Sequence, residues 1–98
     1  AFTRAIGGPS LEDCIRVPGV NPGPVATERI YKVLKTRAQS RLGDAERYDE
    51  YLQHYPLGRP ASVREVADLF VFLASQRSGY SSGAIFTVDG GITSKRSI

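Results

Sequence analysis

Ninety-eight residues with 41% hydrophobic content and a formal net charge of +3 describe one small globular unit and exclude several classes of protein. No apolar run approaches the roughly 20 residues that a membrane span needs, the first residues lack the charged-then-apolar order of a signal peptide, and a single Cys14 with a single His54 supports neither an internal disulfide nor a structural zinc site. Thirteen basic against ten acidic residues make no nucleic-acid footprint, because the excess is local: Arg29, Lys32, Lys35, Arg37 and Arg41 share one segment, while Lys95 and Arg96 sit in the tail.

The chain has no methionine and opens on Ala1-Phe2-Thr3, already helical in character, so it is expected to be a piece of a larger protein. A free-standing doubly wound α/β domain also needs more strands than this length offers. The cysteine usage fits a reducing, cytoplasmic setting.

In chain order, Phe2, Ala5 and Ile6 recur at spacings of three and four, an apolar helix stripe that fails at Gly7-Gly8-Pro9. A short polar connection with one further turn is expected over residues 10–13. A strand follows over 15–20, in which Pro18 and Gly19 suit an edge or a bulge. Next comes Asn21-Pro22-Gly23-Pro24-Val25-Ala26-Thr27, a strand-to-helix turn. Its prolines remove amide donors and hold the backbone extended, Gly23 allows a φ that other residues resist, and Thr27 is placed to cap the next helix. Open α/β sheets put their ligand sites at such turns.

Ile30, Val33, Leu34 and Ala38 predict a helix from residue 28 that Gly43 terminates. Asp44 then caps a second helix, on which Tyr48, Tyr51, Leu52 and Tyr55 form one aromatic face, read as packing in preference to a substrate wall. Pro56-Leu57-Gly58-Arg59-Pro60 is a loop. Ser62-Val63-Arg64-Glu65 has the form of a capping box and opens another helix. Val66, Leu69, Phe70 and Leu73 make one face of it, and Val71 and Phe72 add a second, so burial on both sides is expected, one against a sheet and the other against a second subunit or sequence not present here. Residues 79–83 read as a turn, 84–88 as a short buried strand, and Asp89-Gly90-Gly91 as a sharp turn.

Other reactive side chains carry less. His54 has no G-x-S-x-G elbow to serve, Cys14 reads as a small buried residue, and the basic cluster reads as a solvated helix face because no aromatic platform is interleaved with it.

Taken in register, Ile15-Arg16-Val17 into Asn21-Pro22-Gly23 with Thr27 beyond, then Pro56-Leu57-Gly58-Arg59-Pro60, Glu65-Val66-Ala67 leading to Phe72-Leu73-Ala74-Ser75, Tyr80 and Gly83, and Val88-Asp89-Gly90-Gly91 resemble the carboxyl-terminal segment of a short-chain dehydrogenase/reductase (SDR). The resemblance covers nearly the whole chain. It implies the carboxyl-terminal portion of a Rossmann-type doubly wound parallel sheet, α/β in class, with two strands and about four helical segments over residues 1–98, incomplete as a stand-alone domain. It implies NAD or NADP as cofactor, a small-molecule carbonyl or alcohol substrate, and hydride transfer between them. Carried over by position, the cofactor-binding residues are Pro22, Gly23, Val25 and Thr27, and residues 28–55 are the mobile substrate lid. A homo-oligomer, dimer or tetramer, is implied through the 63–75 helix and the 84–88 strand, with no nucleic acid or membrane as partner.

The departures are specific. No glycine-rich pyrophosphate turn is present, and the family's catalytic serine, tyrosine and lysine have no counterpart before Asn21, so no catalytic residue and no metal ligand is assigned. Tyr31 and Lys35 show Y-x-x-x-K spacing but follow the Pro-Gly turn instead of preceding it, and are read as coincidence. Cys14 stands where the family commonly has glycine, and Pro18 where it often has asparagine or a β-former. Two functions are carried forward: an oxidoreductase to which this chain supplies the nicotinamide-side turn, lid and interface, or an inactive truncated or proteolysed piece that acts only through association. The isolated chain is expected to turn over nothing.

Overall fold

The computed structural model describes residues 1–94, so the basic tail at Lys95 and Arg96 lies outside the described residues. The chain divides into two units, one made of Ala1–Pro22 with Arg64–Val88, the other of Gly23–Val63 with Asp89 onward.

In the first unit, α1 (Phe2–Gly7) ends where Gly8-Pro9 interrupts its periodicity, and a 3-10 turn over Pro9–Asp13 follows. Strand β1 (Gly19–Pro22) pairs in parallel with β2 (Ile85–Val88), in the register Gly19 with Ile85 through Pro22 with Val88. The strand therefore begins later than the expected 15–20. Pro18, which has no N–H for a ladder, is left outside it, and Pro22 sits at its last position, where a missing donor is tolerated. Helix α4 (Val63–Ala74) begins directly after Ser62, where the S-x-x-E pattern puts it.

The approach to β1 is pinned by side chains. Arg16 Nη1 donates to the carbonyls of Leu73 (3.0 Å) and Ser78 (2.9 Å), and Nη2 to that of Ser75 (3.0 Å). One guanidinium thus adds a donor to the Leu73 carbonyl in the last turn of α4 and to the Ser75 and Ser78 carbonyls just beyond it. Ser82 ties three segments: its hydroxyl donates to the Gly7 carbonyl and accepts from the Val17 N–H, while the Gly83 N–H bonds the Val17 carbonyl. Gly7 must be glycine, because a Cβ there would lie 2.2 Å from the Gly83 backbone.

Burial in this unit is thin. Leu73 is 5% exposed and Ser78 3%, but Phe70, Val71 and Phe72 are 54%, 68% and 43% exposed. Within this chain helix α4 is thus covered at Leu73 and left open at Phe70, Val71 and Phe72. Nor is β2 buried: it alternates exposed and half-buried residues.

The second unit is built on α2 (Glu28–Leu42), which carries the buried Leu34 and Ala38 and ends at Gly43, in the left-handed region at φ 74°. The expected second helix breaks into pieces. Asp44 accepts a bond from the Glu46 N–H, but what it caps is a 3-10 turn over Ala45–Tyr48, followed by the single α turn α3 (Asp49–Leu52). A further 3-10 turn spans Pro56–Gly58, with Leu57 held at φ 58° and largely exposed. A last one spans Ile92–Ser94.

The outcome is an α/β architecture with a two-stranded parallel sheet and four α-helices. Leu34, Ala38 and Leu73, with Pro60, are its buried apolar side chains among the described residues, too few to offset the ordering entropy of a chain this long. Among those residues no helix is long and apolar enough to cross a membrane.

Candidate functional site

The Pro-Gly turn starts at Pro22, the last residue of β1. Beyond it, within the second unit, Ala61 holds the backbone in place. The Ala61 N–H donates to the Pro24 carbonyl (2.8 Å), and the Ala26 N–H donates to the Ala61 carbonyl (2.7 Å), forming a parallel bridge opposite Val25. Because peptide groups alternate along extended chain, the Val25 N–H is turned to the side away from Ala61. The left-handed glycines are Gly43, Gly58, Gly83, Gly90 and Gly91. Gly23 is not among them, so its expected positive φ is not what the turn requires.

Thr27 occupies the N-cap position of α2 with extended backbone, but its side chain makes no capping bond. The sequence expectation is corrected on this point: the position is that of a cap, and the hydroxyl is left exposed. Within the second unit, Val25 and Thr27 therefore offer an outward peptide N–H and a hydroxyl uncommitted to the helix, beside a backbone fixed at Pro24 and Ala26 by two hydrogen bonds; Pro22 and Gly23 lead into them and add no side-chain donor. The N–H and the hydroxyl are a donor set suited to a carboxamide or hydroxyl group.

A cavity of about 770 Å³ opens beside Pro24. Residues 53–56 form a second wall, and Gly90, Gly91 and Ile92 a third. Gly90 is fixed in identity twice over, by φ 64° and because a Cβ would meet Pro56 Cβ at 2.6 Å. Asp89 organises the third wall: its carboxylate accepts from the Gly91 N–H (2.7 Å), the Thr93 N–H (3.0 Å) and the Thr93 hydroxyl (2.7 Å). These bonds, the Thr93 hydroxyl first, hold its pKa below the usual carboxylate value.

The tyrosine stripe divides. Tyr48 meets Tyr31 edge to face at 6.1 Å and carries Lys35 Nζ 5.2 Å above its ring, while Arg37 lies over Tyr51. Tyr31 and Lys35, the Y-x-x-x-K pair, are thus both occupied by Tyr48, and the basic helix has an aromatic platform after all, contributed by later residues. Tyr55 instead lines the cavity, with His54. Cys14 is exposed, contrary to the expectation of burial, and sits at φ 60°, ψ 31°, the backbone that favours glycine. No cluster of three or more metal-ligating side chains occurs among the described residues. The Arg16 anchor and the cavity are what sequence reasoning missed. The first had a signal in the Ile15-Arg16-Val17 motif, whereas the second is assembled from segments too far apart to announce it.

A family model described as Enoyl-(Acyl carrier protein) reductase matches residues 1–93. The chain belongs to the short-chain dehydrogenase/reductase family. This SDR chain is 38% identical over 92 residues to a glucose and ribitol dehydrogenase homolog of Oryza sativa subsp. japonica, covering 94% of the chain and 28% of that protein. It is 37% identical over 92 residues to galactitol 2-dehydrogenase (L-tagatose-forming) of Cereibacter sphaeroides, covering 94% and 33%. Among solved structures it resembles L-sorbose reductase of Gluconobacter frateurii, complexed with NADPH and L-sorbose, at a TM-score of 0.80 and 35% identity, covering 97% of this chain and 37% of that one. The SDR chain therefore spans roughly a third of the length of these relatives, and its α/β architecture is a fragment of their Rossmann fold.

Proposed function

We propose that these residues are the carboxyl-terminal part of a single NAD(P)-binding SDR domain whose whole catalyses hydride transfer between NAD or NADP and a carbonyl or alcohol. Family membership over residues 1–93 carries the reading. Pro22 and Gly23 form the wall on the nicotinamide side, the Val25 N–H meets the carboxamide, and the Thr27 hydroxyl holds the cofactor. When bound, the cofactor supplies the hydride acceptor for alcohol oxidation or the donor for carbonyl reduction. This chain's own contribution is to orient that group and to shelter the transfer under the lid of residues 28–55. The substrate proton goes to or comes from residues outside this sequence. Relatives named for glucose, ribitol, galactitol and sorbose support a polyhydroxylated substrate, and the cysteine usage supports a cytoplasmic setting. The exposed apolar faces of α4 and β2 support a homo-oligomer joined through residues 63–75 and 84–88.

The test is Thr27→Ala in the complete enzyme. Because Thr27 makes no capping bond, thermal stability stays within about 0.5 kcal/mol of the parent, below the usual cost of losing a cap, while KM for the cofactor rises about tenfold and Thr27→Ser restores it. Unchanged kinetics would reduce the turn to a structural corner.

The exposed α4 face also favours the second reading, a catalytically inactive piece acting through association. Intact-mass analysis separates the two. A copurifying polypeptide with a glycine-rich pyrophosphate turn supports the enzyme, and a lone 98-residue chain without NAD(P)H turnover supports the piece.

A further inference from the structure

The cavity beside Pro24 has a chemistry of its own. The residues with polar side chains among its lining are Gln53, His54 and Tyr55, beside Gly90 and Gly91. Each of those three side chains both donates and accepts hydrogen bonds, the property that a hydroxyl group matches. Among the described residues, no Asp, Glu, Lys or Arg lines the cavity, so no charge is present to neutralise a phosphate or carboxylate. Pro24, Pro56 and Ile92 supply apolar surface for the C–H faces of a carbon chain. The volume lies within the range of about 300–1,000 Å³ typical of small-molecule sites. The cavity also shares a unit, and a wall at Pro24, with the turn residues Gly23, Val25 and Thr27.

We infer that this cavity is the specificity subsite for the uncharged, hydroxylated end of the substrate, with Gln53 and His54 hydrogen-bonding its hydroxyls remote from the reacting carbon. The inference rests on the hydride-transfer reading above and goes further, assigning residues that select a polyol over a simple alcohol. The side chains of Gln53 and His54 stand on an exposed turn, so replacing them leaves the packing of the unit in place. A site that offers hydrogen bonds to substrate hydroxyls discriminates against an analogue lacking them, because its own polar groups are then left unmatched.

The experiment compares kcat/KM for a hexitol with that for cyclohexanol in the complete enzyme, in its His54→Leu and Gln53→Leu forms, and in His54→Gln. The ratio of hexitol to cyclohexanol is expected to fall about tenfold in each leucine variant, through KM for the hexitol, and to recover in His54→Gln. A ratio unchanged within about twofold in both leucine variants overturns the subsite while leaving hydride transfer standing. An unmodified complete enzyme that oxidises neither alcohol and reduces neither corresponding ketone overturns both.

Discussion

Arg16 holds together segments of the first unit that lie far apart in sequence. Its guanidinium bonds carbonyls of Leu73, Ser75 and Ser78, and Arg16→Met keeps the aliphatic bulk while removing those charge-assisted bonds, leaving the carbonyls only their local donors, the Ser78 N–H and hydroxyl and the Ser81 N–H. The expected loss in the full-length protein is about 2–3 kcal/mol in urea unfolding, with Arg16→Lys recovering only part because a single ammonium cannot span three acceptors. Cys14 gives the opposite sign. At φ 60° with an exposed side chain, Cys14→Gly relieves about 1 kcal/mol of left-handed strain, partly offset by glycine's greater freedom in the unfolded chain. A rise of a few tenths of a kcal/mol in the same assay is the expected result. That Cys14 departs from a glycine position was legible in the motif. Its backbone conformation, and hence its exposure, was not, because propensity does not report which residue of a turn goes left-handed. Thr27 shows the same limit, since its position was readable and the use of its hydroxyl was not.

Between residue and molecule, the elements that read true are those with strong local signals. Helix α2 ends at Gly43, α4 starts after Ser62, and Pro9 interrupts α1, each for reasons contained within four or five residues. The tyrosine segment misled because its i, i+3, i+4, i+7 spacing satisfies a helix, whereas contacts with α2 at Tyr31, Lys35 and Arg37 hold it in short turns, a tertiary override of local pattern. The Asp89 turn carries a pH dependence. A carboxylate whose pKa is depressed in the folded state contributes stability that is present above its unfolded pKa and lost as pH falls through the folded one. Amide exchange at Gly91 and Thr93, corrected for its intrinsic pH dependence, is therefore expected to lose protection below the ordinary carboxylate range. In Asp89→Asn, protection should be weaker and independent of pH across that window.

For the whole molecule, fold class and family were legible because the motifs occur in order over nearly the full length, although each is weak alone. Coverage of the apolar faces was not, since periodicity marks a face as apolar without saying what lies against it. Phe70, Val71 and Phe72 are the case in point. With so few apolar side chains buried, the 98-residue chain alone is expected to bind ANS strongly and to unfold without a sharp thermal transition. Weak dye binding with a cooperative melt would show that the chain covers these faces by itself, for instance as a stable dimer.

The bonds that set Arg16 in place reach 57 to 62 residues along the chain, and Ser82 reaches 65 back to Val17. On a ribosome adding roughly 5–20 residues per second, the segment before β1 leaves the tunnel several seconds ahead of everything that fixes it. During that interval Ile15 and Val20 have neither ladder nor anchor, and closing so long a loop is slow. A nascent chain stalled before residue 78 is thus the form most open to chaperone capture. Emergence of residues 73–88 is the event that lets β1 pair with β2.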